Sequence, residues 1–138
     1  MMPCIFCRNI SEEAILYQSR HFKLVWDIDP IQTGHLLIIS KDHFTSLSEL
    51  PLPLLHELAE LEQEMITLME EILPIDGVTL LRNDKNLMDE GTHFHSHLIP
   101  RQKEDGFWDR IEVQKQIIPL EDFVHQLNTN KYSGLRKE

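Results

Sequence analysis

The sequence predicts an α+β domain on a mostly antiparallel sheet, and three observations carry that expectation. Short apolar runs bounded by turn residues read as strands. One long stretch, residues 51–73, spaces its apolar side chains as a helix does. The strands also do not alternate regularly with helices, as a doubly wound parallel sheet would require.

Taken in order, residues 14–17 and 22–26 read as two strands of a hairpin around a polar turn at 18–20. Residues 27–34 hold Pro30 and Gly34 and read as a loop. Residues 35–40 are nearly all apolar, the pattern of a central strand buried on both faces. From 51 to 73, Leu54, Leu55, Leu58, Leu61, Met65, Leu68, Met69 and Ile72 fall at helical spacing above an acidic face, so this stripe reads as core. Residues 78–81 form the next strand, followed by a polar loop over 83–91 and a strand over 93–100. Phe107 and Trp108 stand in a polar setting. Residues 119–127 suggest a short C-terminal helix with Leu120, Phe123, Val124 and Leu127 on one side, and 129–138 a frayed tail.

Length and composition bound the rest. A chain of 138 residues, 41% hydrophobic and 26% charged, suits one soluble domain over residues 1–128 with a core that needs no disulfides. No apolar run approaches the ~20 residues of a membrane span, and the N-terminus lacks a signal-peptide pattern, so a cytoplasmic location without membrane partners is expected. A formal charge of −10 argues against a nucleic-acid partner, because such binding needs basic residues to displace counterions. The charge is expected on solvated helix faces, at Glu57, Glu60, Glu62 and Glu64. A phosphate-handling site would have to create its own positive field.

The chemistry concentrates in His93-Phe94-His95-Ser96-His97-Leu98-Ile99-Pro100. On a strand the three histidines share one face while Phe94, Ser96 and Leu98 take the other. Imidazole is nucleophile, proton carrier and metal ligand near neutral pH. A neutral imidazole can attack phosphorus and leave a covalent phosphoramidate that water cleaves. All three cannot hold one tetrahedral zinc, because a straight strand spreads them too far for bonds of about 2.0–2.1 Å.

Cys4 and Cys7, the two cysteines of the chain, form a Cys-x-x-Cys pair. Such a pair is a redox dithiol, half of a zinc site or two ordinary thiols. No strand precedes it, against a thioredoxin-like reading. Zinc needs two further ligands, and His43 and His93 are available.

The histidine run resembles the signature His-φ-His-φ-His-φ-φ of the histidine triad superfamily of nucleotide hydrolases and transferases, with Ser96 at a position usually apolar. The resemblance covers residues 4 to about 110. It implies the histidine-triad fold for 1–128, a homodimer, and a nucleotide substrate: a purine nucleotide conjugate, either a dinucleoside polyphosphate or a nucleoside phosphoramidate, attacked at its α-phosphate. The nucleophile falls on His95, and His97 then binds phosphoryl oxygens or donates to the leaving group. Zinc-binding members imply a structural zinc on Cys4, Cys7, His43 and His93. The resemblance also places Asp27 at the ribose hydroxyls, where an Asx turn before Pro30 is the alternative, and Asn83 near the phosphates, where it could equally serve a turn. Phe6 with Phe22 or Ile28 could form a slot for the base, or belong to the core. Glu90 departs from the small hydroxyl or amide residue common three positions before the first histidine. A nucleotide-binding module with little turnover is the alternative function.

Overall fold

The computed structural model describes residues 4–129, which fall into two compact units divided along the chain between Asp105 and Gly106. The first carries a five-stranded antiparallel sheet: β1 (Tyr17–Gln18), β2 (Phe22–Trp26), β3 (Leu36–Ser40), β4 (Gly77–Arg82) and β5 (His95–Arg101), in the order β1-β2-β3-β5-β4. Helix α1 (Ile5–Arg8) precedes the sheet, and helix α2 (Leu52–Ile72) joins β3 to β4. The β3–β5 register sets Leu37 opposite His97 and Ile39 opposite His95. The all-apolar run thus becomes a strand buried at every position, beside the histidine strand.

The two sheet faces have different coverings. One packs Phe22, Leu24, Ile38, Phe94 and Leu98 against Leu54, Leu58, Leu61 and Met69 of α2. Each such side chain contributes about 1.5–3 kcal/mol when taken from water. The stripe is narrower than the sequence suggests, because Leu68 and Ile72 stay exposed. The other face is a smaller cluster of Val25, Leu37 and Ile39, covered by Phe6, Ile10 and Ile15, with His95 and His97 on the same side.

Three expectations change. Residues 14–17 do not form a full strand: Glu12–Ala14 is a single 3-10 turn, in which Ala14 N–H donates to Ser11 O and Ile15 N–H to Glu12 O, leaving a two-residue β1. β5 begins at His95, so His93 lies just ahead of it. The acidic face of α2 is not merely solvated. Glu57 accepts from Ser19 Oγ, the His21 backbone N–H and His21 Nδ1, clasping the first hairpin to the helix. Glu62 pairs with Arg82 at 2.7 Å and accepts from the fully buried Ser96 Oγ at 2.8 Å. Ser96 breaks the apolar pattern of its run because its hydroxyl ties the histidine strand to α2.

The second unit holds a 3-10 turn over Trp108–Arg110 and helix α3 (Glu121–Leu127), which buries none of its residues. The expected tail lies, Thr129 apart, outside the described residues. No helix among the described residues is long and apolar enough to cross a membrane.

Candidate active site and metal centre

The structure divides the three histidines between two neighbouring groups. His93 turns to the cysteines and His43, whereas His97 meets His35 and Asp27 with the ring of His95 beside it.

In the first group, His93 Nδ1 lies 3.2 Å from Cys4 Sγ and 3.4 Å from Cys7 Sγ, and His43 Nδ1 lies 3.3 Å from Cys7 Sγ. The four donor atoms lie within 4.8 Å of one another. Tetrahedral zinc, with bonds of about 2.3 Å to sulfur and about 2.0–2.1 Å to nitrogen, separates neighbouring S and N donors by about 3.5 Å. The donor set fits that ion. The His93 proton is also placed for it: Nε2–H donates to Ser40 O at 2.6 Å, which leaves the Nδ1 lone pair facing the thiols. Burial pushes His93 down to about 4, so this nitrogen stays free of a proton near neutral pH.

In the second group, hydrogen bonds assign each proton. Ile31 N–H donates to His35 Nδ1 at 3.0 Å, which puts the His35 proton on Nε2. His35 Nε2–H then reaches His97 Nδ1 at 2.9 Å, so His97 carries its proton on Nε2. His95 Nδ1–H donates to the carbonyl of His93 at 2.7 Å, so its Nε2 holds a lone pair. The rings of His95 and His97 lie 4.7 Å apart. A lone pair therefore stands beside an N–H donor on one sheet face. Asp27, His35 and His97 also lie close enough to hold a cation, but the bond from Ile31 leaves His35 Nε2 protonated and unfit as a ligand.

Burial lowers the basicity of His35, His95 and His97, and for His97 the neighbouring His95 and His35 add to it, bringing it down to about 4. The opposing charges on His95 and His97 are the carboxylates of Asp27 and Asp89. Asp27 divides its oxygens. Oδ1 accepts from Asp29 N–H at 2.9 Å, the Asx turn, while Oδ2 stands 3.4 Å from His35 Nε2 and 3.9 Å from His97 Nδ1.

Of the remaining expectations, Asn83 is exposed one residue past β4, where the register Arg82↔Ser96 sets it alongside His95. Phe22 cannot line a base slot, because it is buried in the core under α2. Phe6 instead packs edge-on against both His93 and His95, and Ile28 is fully exposed. Two residues received no role of their own from the sequence. His35 heads the apolar run of β3 and is buried, and a lone polar residue at the mouth of such a run was the available signal. Asp89, exposed like its neighbour Glu90, adds a smaller negative charge to that of Asp27 near the histidine pair, in a turn where Thr92 N–H and Oγ1–H both donate to Asp89 O.

The adenosine 5'-monophosphoramidase of Saccharomyces cerevisiae is 30% identical over 105 residues, 73% of this chain and 64% of the yeast protein. The crystal structure of a HIT family protein from Bacillus anthracis superposes with a TM-score of 0.70 at 27% identity, covering 94% of this chain and 96% of that one. A Zn-bound histidine triad family protein from Mycobacterium smegmatis gives 0.64 at 25% identity, covering 93% and 97%. The family model for the HIT domain matches residues 8–104, which include all five strands and both histidine groups apart from Cys4 and Cys7, and the chain therefore belongs to the HIT family.

Proposed function

We propose that this protein is a nucleotide hydrolase or transferase that attacks the α-phosphate of a purine nucleotide conjugate through a nucleotidyl-His95 intermediate. The observation that carries it is the pair of opposed tautomers. His95 Nε2 offers its lone pair to phosphorus while Nδ1–H, held by the His93 carbonyl, steadies the positive charge the ring gains. The bond to the leaving group breaks as the N–P bond forms, and water then releases the nucleotide. His97, its tautomer set by His35, presents Nε2–H to the phosphoryl oxygens and the leaving atom. The free lone pairs of Asp27 suit two vicinal ribose hydroxyls, and Asn83 flanks the phosphates.

The acids whose charge reaches the pair, Asp27 first and exposed Asp89 after it, favour one leaving group. Asp27 and Asp89 repel a departing polyphosphate and stabilise an amine that gains a proton as it leaves. Nucleoside phosphoramidates are therefore the preferred class, in keeping with the named activity of the yeast relative. Cys4, Cys7, His43 and His93 hold a structural zinc, which ties α1 to the sheet when bound. Two exposed features fit a homodimer: β4 is an edge strand half-buried along its length, and α2 leaves Leu68 and Ile72 uncovered.

The test is turnover of a panel of adenosine conjugates by the wild type and His95→Ala, with labelled substrate trapped at short times. Label on His95, and loss of several orders of magnitude in His95→Ala, support the mechanism. Nucleotide binding without turnover by the wild type would favour a regulatory module. Wild-type turnover by His95→Ala would refute the nucleophile.

A further inference from the structure

We infer that the Cys4–Cys7–His43–His93 group does more than anchor the N-terminus: it positions the imidazole of His95 through the His93 carbonyl and the Phe6 ring. The inference rests on the reading of His95 as the reactive imidazole, and its observations are independent of substrate.

Two routes connect the groups. The first runs through His93, whose ring is fixed at both nitrogens, by Ser40 O on one side and the cysteines on the other. The carbonyl of that same residue accepts from His95 Nδ1–H and so sets which His95 nitrogen is bare. The second route runs through α1. Phe6 stands between the two cysteines in sequence, and its ring lies edge-on to His93 at 5.6 Å and to His95 at 5.0 Å. It forms one wall of the niche that leaves His95 only 7% exposed.

What holds α1 in place decides whether this wall stands. The helix has four residues and buries none of them. A single turn does not persist alone, since nucleation fixes several dihedrals for one hydrogen bond. Outside the cysteines it is held by Ile5 N–H to Gly91 O at 2.6 Å and by partly buried Phe6 on the Val25, Leu37 and Ile39 cluster, so the cysteine clamp decides how firmly the ring is pressed in place. Cys4 precedes the helix and Cys7 lies within it, so a metal on both thiolates clamps the turn and presses Phe6 onto His95. With the clamp released, the ring leaves, His95 meets water, and its Nδ1–H exchanges a carbonyl partner for solvent. Phe6 is thus a positioning residue.

The experiment compares protein as purified, protein stripped by a chelator and protein reloaded with zinc, each well below its melting temperature. Carbethoxylation of His95 by diethyl pyrocarbonate, mapped by mass spectrometry, reads its exposure. Nitrogen-15 spectra of the histidine rings read its tautomer, and neither readout needs turnover. Stripping is expected to speed modification of His95 at least fivefold and to convert one tautomer into a mixture, both reversed by zinc. If the stripped chain unfolds, Phe6→Leu and Phe6→Tyr replace it, both retaining one zinc per chain. Phe6→Leu should expose His95 and lower kcat more than it raises KM, and Phe6→Tyr, which keeps the ring edge, should restore both. Equal His95 reactivity and tautomer with and without zinc overturn the inference, as does a zinc-loaded Phe6→Leu with wild-type values. A protein without affinity for zinc overturns it together with the metal site, whereas a wild type with the expected His95 response but no turnover upholds it and refutes the catalytic reading alone.

Discussion

His35 is the residue whose replacement best separates structure from chemistry, because its two nitrogens serve different partners. Nδ1 accepts from Ile31 N–H at 3.0 Å and holds the 27–34 loop, while Nε2–H donates to His97 Nδ1 at 2.9 Å. Asparagine can place its Oδ1 where Nδ1 stands, keeping the loop bond and losing the bond to His97. Glutamine can place its Nε2 where the ring Nε2 stands, with the reverse result. His35 is 2% exposed, so water replaces neither lost partner easily. A buried neutral hydrogen bond contributes about 0.5–1.5 kcal/mol, and an orphaned buried N–H costs about 1–3 kcal/mol. His35→Asn should therefore lower kcat/KM for an adenosine phosphoramidate about 2- to 12-fold, as His97 loses its fixed tautomer, with a small change in stability. His35→Gln should lose about 1–3 kcal/mol of stability from the orphaned Ile31 N–H and retain more of the turnover. Denaturant unfolding and steady-state kinetics on both variants give the four numbers. Wild-type turnover in His35→Asn, or matching losses in both variants, would refute the reasoning that His35 sets the His97 proton.

Further outcomes follow from the same geometry. Asp89→Asn should raise kcat/KM for dinucleoside polyphosphates over phosphoramidates by about fivefold, near 1 kcal/mol for a screened charge, whereas Glu90→Gln should change the ratio little. A larger effect at Glu90 would reverse the assignment of the acid that faces the leaving group. Ser96→Val restores the apolar pattern yet takes a donor from Glu62, so it should destabilise the fold by about 1–3 kcal/mol in denaturant unfolding. A gain in stability would show that Arg82 alone satisfies the carboxylate. Burial, helped by His95 and His35, brings His97 down to about 4 against an ordinary 6.5. Its depressed value makes the contribution of His97 to stability full above pH 6.5 and lost as pH falls toward 4, by at most about 3 kcal/mol. The neutral form, which accepts from His35, persists over the same window. His97→Gln should flatten the slope of stability against pH between 4 and 6.5, and an unchanged slope would assign the titration to other groups.

The sequence by itself determined the elements of the sheet and its long helix. Short apolar runs placed β2, β3, β4 and β5, and a period of 3.6 placed α2, each within two residues, because local apolar spacing records which parts of the backbone meet the core. It also showed the histidine run and the two thiols, since residue types and short spacings are local facts. Tertiary structure alone decided which of these groups meet. His35 and His97 are 62 residues apart, Ser96 and Glu62 are 34 apart, and Cys4 and His93 are 89 apart. Only strand register and the return of α2 bring them within a hydrogen bond. The same distance explains why Glu57 and Glu62 read as solvated charges. A side chain's partner across the fold leaves no mark in the period of its own segment, and protons are assigned by partners: Ile31 for His35, His35 for His97, and the carbonyl of His93 for His95.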